Sequence, residues 1–220
     1  MPTISVENYL KAIFHLQQEE DGPVGTKSVA DRLEVSPASV TRMLKTLSRD
    51  GFLHHVPYRG AQLTEKGERV ALRTIRNHRL VESFLIKTLG FSWDEVHREA
   101  EALEHALSEK VANRIDEYLG FPTVDPHGDP IPRADGSLAV SDSHTLGQSL
   151  ATHIVRVIRV LDQRPEVLRY LADHGIRPGI RLEVLESAPF DGPLTVQAGN
   201  RRVSLARELS QKILVEQLNG

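Results

Sequence analysis

His78 and Glu82 stand four residues apart, as do His97 and Glu101, and Glu104 and His105 follow close behind. On an α-helix, residues three or four apart share a face. Read as helical, His97, Glu101, Glu104 and His105 fall within an arc of about 100°. They lie beside an apolar stripe of Val96, Ala100, Leu103 and Leu107. Two glutamates three residues apart repel unless something compensates. A divalent cation held by carboxylate oxygens and imidazole nitrogens is the economical compensation; a charged surface face with incidental histidines is the alternative. Clusters on two consecutive helices favour the metal. Catalysis is not expected. The His-Glu-x-x-His of zinc peptidases is absent, and Glu101 is followed by histidine at four residues rather than the three of di-iron carboxylate helices.

The elements that must position these residues follow from composition and period. The chain has 220 residues, 40% apolar and 26% charged, which suits a folded protein of one or two compact units or several small ones. With no cysteine, thiolate zinc sites, iron–sulfur clusters and disulfides are excluded, while ten histidines and thirty carboxylates offer nitrogen and oxygen ligands. The N-terminus lacks a basic segment followed by an apolar run, and no stretch nears the roughly 18 apolar residues of a membrane span. A cytoplasmic protein with no membrane partner is expected.

Three pieces follow along the chain. Val6, Leu10, Ile13 and Phe14 mark a first helix; Thr26 is placed to cap a second; Ser36-Pro37 reads as a cap with proline at the first position of a third. Phe52 to Leu63, turning at Arg59-Gly60, reads as a two-stranded wing. A long helix from about Lys66 to Leu89, one opening at Ser92-Trp-Asp-Glu95 and reaching about Leu107, and one ending at Leu119 come next. Prolines and glycines crowd residues 121–147, a linker or an ordered loop. Beyond it, short strands and one helix near Pro165 suggest a small β-barrel. The expected fold is mostly α with a small β domain. Its parts are a winged helix-turn-helix (1–72), a helical domain (73–120), a Pro/Gly-rich linker (121–147) and a barrel (148–220).

The helix-turn-helix carries a second chemistry. Its second helix offers Ser36, Pro37, Ala38, Ser39, Thr41, Arg42, Lys45 and Arg49, with Arg59 at the wing tip. Small residues at the helix N-terminus allow close approach to base edges, and the longer basic ones reach phosphates. Segment 36–60 holds four basic residues against one acidic, Asp50, in a chain of net charge −3. Such a local excess is the footprint of a reader of double-stranded DNA. A winged-helix regulator answering to a small organic ligand, with the Glu/His clusters structural, is the competing reading.

The sequence resembles the diphtheria toxin repressor family of iron- and manganese-dependent transcriptional repressors. The likeness rests on Glu7-Asn-Tyr-Leu-Lys-Ala-Ile, Leu63-Thr-Glu-Lys-Gly67, His78-Arg-Leu-Val-Glu82 and Glu101-x-x-Glu104-His105, and it extends over almost the whole chain. It implies helical metal-binding and dimerisation elements and a C-terminal SH3-like, FeoA-like barrel. It also implies a regulatory metal site of Asn8, Glu101, Glu104 and His105, and an ancillary site of His78, Glu82 and His97. In three-domain manganese regulators a loop like Asp125-Pro-His127-Gly supplies ancillary ligands, and a carboxylate near Asp162 joins them. The iron branch has cysteine where this chain has Glu101 and methionine where it has Asn8. Mn(II) is therefore the expected ion, with Fe(II) accepted and other divalent transition metals as surrogates. The resemblance further implies a homodimer on a palindromic operator, with metal fixing the angle of the reading heads and repression of metal-uptake genes as the outcome.

Overall fold

The computed structural model describes residues 2–20, 22–56, 60–139 and 142–218. It divides into two compact units: Met1–His78, Leu103–Val111 and Pro132–Ser137 form one; Arg79–Ala102, Ala112–Ile131 and Leu138–Gly220 form the other.

The first unit opens with α1 (Ile4–Glu20), α2 (Thr26–Leu33) and α3 (Pro37–Arg49), then the hairpin β1 (Leu53–Val56) and β2 (Gly60–Leu63). Leu10 and Ile13 of α1, Val29 of α2, and Val40, Leu44 and Leu47 of α3 fill its core. Ser36 caps α3 by accepting from the Ser39 amide at 3.2 Å, with Pro37 following as expected. Thr26 does not cap α2. Gly25 takes that position without a side-chain bond, because Val24 is drawn into an extended bridge with Ala61, trading both backbone hydrogen bonds with it at 2.8 and 2.9 Å. The hairpin register pairs Leu53 with Leu63 and His54 with Gln62. Arg59 lies outside the described residues. Thr64 caps α4 (Glu65–Phe84) through the Gly67 amide. Gly67 is required there, since a Cβ would overlap the Phe52 carbonyl. Helix α4 runs unbroken through the 72/73 boundary expected from the sequence. Its Ala71, Leu72 and Ile75 are buried.

In the second unit a π-helical turn, Leu85–Leu89, continues α4 to Gly90, whose φ of 73° ends it. Ser92 and Glu95 bond side chain to side chain at 2.5 Å rather than closing a capping box. Helix α5 is short, Val96–Leu103, and α6 spans Glu109–Leu119. The early end of α5 corrects the expected run to Leu107. Leu103 is exposed and Glu104, Ala106 and Leu107 leave the helical path.

The C-terminal strands are β3 (His144–Thr145), β4 (Ile154–Val160), β5 (Arg181–Ser187), β6 (Leu194–Ala198), β7 (Arg201–Leu205) and β8 (Ile213–Gln217), with α7 (Pro165–Asp173) and α8 (Arg207–Ser210). They form one antiparallel sheet ordered β3-β8-β4-β5-β6-β7. Val155, Val157, Leu182, Val184, Val196, Val203 and Val215 face a common core with Leu168 and Leu171 of α7 and Trp93. Along β4 the buried residues are Val155, Val157 and Val160: the step of two becomes three. Ile158 is the extra residue of a β-bulge, where the pairing with β8 shifts.

Candidate metal centres and DNA-reading helix

Two clusters of carboxylates and imidazoles are built, one in each unit. In the first, the turn after α5 brings Glu104 and His105 to α1 and α4. His105 Nδ1 lies 2.6 Å from Glu7 Oε2, and Glu7 Oε1 accepts from Arg73 Nη2 at 2.7 Å. His105 Nε2 is 3.3 Å from Glu104 Oε1. The Glu104 carboxylate, 1% exposed, also accepts from Lys11 Nζ at 2.8 and 3.0 Å and meets His78 Nδ1 at 2.5 Å. Asn77 Nδ2 donates to the Glu104 carbonyl at 3.0 Å, which fixes the turn. Burial alone would raise the Glu104 pKa. The bond to His78 and the charge of Lys11 outweigh it and hold the carboxyl below its ordinary value.

The sequence names Asn8 on α1, but Asn8 is exposed, and its buried neighbour Glu7 is the α1 group that meets His105. Glu7 shares a face with Leu10 and Phe14, both buried; a carboxylate on that apolar stripe was the overlooked signal. Glu101 is exposed on α5, with its Oε1 3.6 Å from His97 Nε2. Because α5 ends at Leu103, the helical spacing does not carry from Glu101 to Glu104.

The second cluster gathers Glu82 of α4, His97 of α5, and Asp125 and His127 of the proline-rich stretch. That stretch is an ordered loop here. Val124 pairs with Pro130, the Ile131 amide donates to the Thr123 carbonyl at 2.9 Å, and Asp125, His127, Asp129 and Ile131 are buried. Asp125 Oδ1 accepts from the amides of His127 and Asp129 at 2.8 and 2.9 Å. One ligand atom each from Glu82, Asp125 and His127 lies within 4.8 Å of the others. His97 Nδ1 lies 3.1 Å from Glu82 Oε1.

His127 is informative. Its Nε2 sits 3.1 Å from the Trp93 carbonyl oxygen, an acceptor only, so Nε2 carries the proton. In the neutral ring, Nδ1 is then an acceptor; among the described residues it has no hydrogen-bond partner within 3.5 Å, and it lies 3.6 Å from buried Glu82 Oε2. A buried imidazole acceptor beside buried carboxylates is a donor set that suits a divalent cation. Glu82, Asp125 and Asp129 bring −3 to this group and Arg79 and Arg159 bring +2, and His97 on the Glu82 carboxylate supplies the remaining positive charge when protonated. Asp125 is pushed up to about 7 by burial and by its Asp129 and Glu82 neighbours. His97 is raised to about 9 by its bonds to Glu101 and Glu82. For His127, burial favours the neutral ring, yet the Glu82 carboxylate raises its pKa on balance. Asp162 is not in this group; Arg164 clamps its carboxylate at 2.7–3.2 Å.

On α3, Ser36, Pro37, Ala38, Ser39, Arg42, Lys45 and Arg49 are exposed and Thr41 is half-buried, its hydroxyl donating to the Pro37 carbonyl at 2.9 Å. The opposite face of α3 is the buried one. The basic residues named from the sequence thus lie on the face left to solvent.

Three family profiles match successive parts of the chain. The profile described as "Iron dependent repressor, N-terminal DNA binding domain" matches residues 1–61. "Iron dependent repressor, metal binding and dimerisation domain" matches 64–133, and "FeoA domain" matches 144–217. The chain is 31% identical to the iron-dependent repressor IdeR of Mycobacterium tuberculosis, over 97% of each. It is 37% identical to the HTH-type transcriptional regulator MntR of Geobacillus kaustophilus, over 55% of this chain and 84% of that one. A solved structure described as a manganese-dependent transcriptional repressor in complex with manganese superposes with a TM-score of 0.88 at 39% identity, covering 97% of this chain and 100% of that one. Profiles over most of the chain and similarity over nearly its full length show that the chain belongs to the iron-dependent repressor family.

Proposed function

We propose that this chain is a transcriptional repressor that binds operator DNA as a homodimer when a divalent transition metal, Mn(II) foremost and Fe(II) as an alternative, is bound. It acts in the cytoplasm, by binding and not by turnover. The observation that carries the reading is the convergence of one ligand atom each from Glu82, Asp125 and His127, all three buried, within 4.8 Å of one another. The donor sets contain only oxygen and nitrogen, which suits Mn(II) and Fe(II) and no metal that demands sulfur.

Glu104 and His105 would hold the regulatory ion, with α1 contributing Glu7 or, after a shift of its side chain, Asn8. Glu82, Asp125 and His127, with His97, would hold the ancillary one. A bound ion supplies positive charge that otherwise comes from Lys11 in the first cluster and from protons in the second. Holding Glu104 and His105 on α1 restrains the first helix of the DNA-reading unit, and a restrained dimer presents two α3 helices about 34 Å apart, one turn of B-DNA. Without that restraint only a fraction of molecules is competent, and apparent affinity falls by that fraction. Exposed Leu89, Tyr118, Phe121 and Val124 offer an apolar surface for dimerisation.

The test begins with a palindromic duplex selected from random DNA in the presence of Mn(II). The expected mobility shift requires Mn(II) and reverses on adding a chelator. Lys45→Ala should weaken binding to all sequences alike and lower the slope of log affinity against log salt by about one. A shift indifferent to the chelator would reject metal control and favour an organic effector.

A further inference from the structure

The loop that carries Asp125 and His127 is fastened to β4 of the sheet domain at three points. The Val160 amide donates to the His127 carbonyl at 2.9 Å. Gly128, at φ 90°, lies flat on the bulge: a Cβ there would overlap the Ile158 carbonyl oxygen and come within 2.7 Å of Arg159 Cα. Asp129, buried, binds Arg159 Nη2 through Oδ1 and accepts from Gln163 Nε2 through Oδ2 at 2.8 Å. A fourth support comes from Trp93, a member of the sheet-domain core. Its ring stacks on His127 at 5.6 Å with an 18° tilt, and its Nε1 donates to the Pro126 carbonyl at 3.1 Å.

These contacts are more than a tether. A bulge turns the side chain that follows it and strengthens the local twist. In β4 the following residue is Arg159, and its partner is the Asp129 carboxylate, two residues beyond His127. The Asp125 turn closes on the same segment, since the Asp125 amide donates to the Asp129 carbonyl at 2.9 Å. Shifting the loop off the bulge would move Asp125 and His127 together, away from Glu82.

We propose that the β4 bulge is a built-in part of the ancillary metal centre. Gly128 and Arg159 act as positioning residues, so that ion binding and seating of the loop on the sheet are thermodynamically linked. This rests on the assignment of Glu82, Asp125 and His127 as ancillary ligands. The sheet domain then regulates the repressor by setting the ion affinity of that centre. By reciprocity, the ion stabilises β4 in its seated position.

The experiment uses the full chain and Mn(II) alone. Ion binding is followed by titration, with the two classes of site assigned from Glu104→Gln and His127→Ala. Gly128→Ala, which alters no charge, should weaken the ancillary class about tenfold, the size typical of losing support behind metal ligands. The regulatory class should not move. Arg159→Lys keeps the charge but loses the planar fork; it should shift the same class in the same direction by less, and it carries the test should Gly128→Ala fail to fold. In the unaltered protein, hydrogen exchange at the Val160 amide should slow when Mn(II) is added. Wild-type ancillary affinity in both positioning variants, or a Val160 amide blind to Mn(II), would overturn the linkage while His127→Ala still loses an ion. If His127→Ala keeps both ions, the ligand assignment itself falls, and the linkage with it.

Discussion

Glu104→Gln is expected to abolish the metal response of DNA binding, the largest effect of any single change in the first cluster. Glu104 is the buried carboxylate on which Lys11, His78 and His105 converge, so the amide removes the one charge that a cation and Lys11 both use. It also leaves the Lys11 ammonium without its ion partner. Breaking a buried pair by removing one member costs about 3–5 kcal/mol; the lower end applies because Lys11 retains 17% exposure. The double change Lys11→Met with Glu104→Gln removes both charges and should recover most of that stability without restoring the metal response. Thermal unfolding and Mn(II) titration of the two variants check this. A Glu104→Gln protein that still needs Mn(II) to bind DNA would remove Glu104 from the regulatory centre.

The second large effect is on pH. Asp125 at about 7 and His97 at about 9 hold protons in the metal-free chain that they would not hold unfolded. The sign follows from linkage. The folded state binds more protons than the unfolded one, so the stability these groups contribute is present at low pH and is lost as pH rises through their folded values. Mn(II) displaces those protons, so its affinity at this centre should climb between about pH 6 and about pH 8, roughly tenfold per unit for each proton released. The gap in Tm between Mn(II)-loaded and stripped protein should therefore widen with pH over that range. In His127→Ala or Glu82→Gln the widening should largely vanish. A gap independent of pH in the unaltered protein would contradict the assignment.

Much of this was legible in the sequence, and the remainder was lost for identifiable reasons. Ser36-Pro37 gave the start of α3 because cap and proline act locally. Gly90 gave the end of the long helix for the same reason. Thr26 misled because a tertiary bridge, Val24 to Ala61, decides where α2 begins. Glu101 and Glu104 were joined by a helical period that stops at Leu103, a boundary that local pattern did not mark. On α1, Asn8 was named through family likeness, while Glu7 meets His105 from the buried stripe. Asp125 and His127 came from likeness alone, since no period marks a ligand in a proline-rich loop; the structure brings them onto Glu82 by seating the loop on β4. Asp162 came from the same source and is held by Arg164.

The central claim is that metal and operator are coupled ligands of one protein, and coupling must be reciprocal. The most direct measurement is therefore the Mn(II) affinity of the full chain with and without saturating operator duplex. Mn(II) should bind more tightly with the duplex present, by the same factor by which Mn(II) tightens binding of the duplex. Equal Mn(II) affinity in the two titrations would contradict the account.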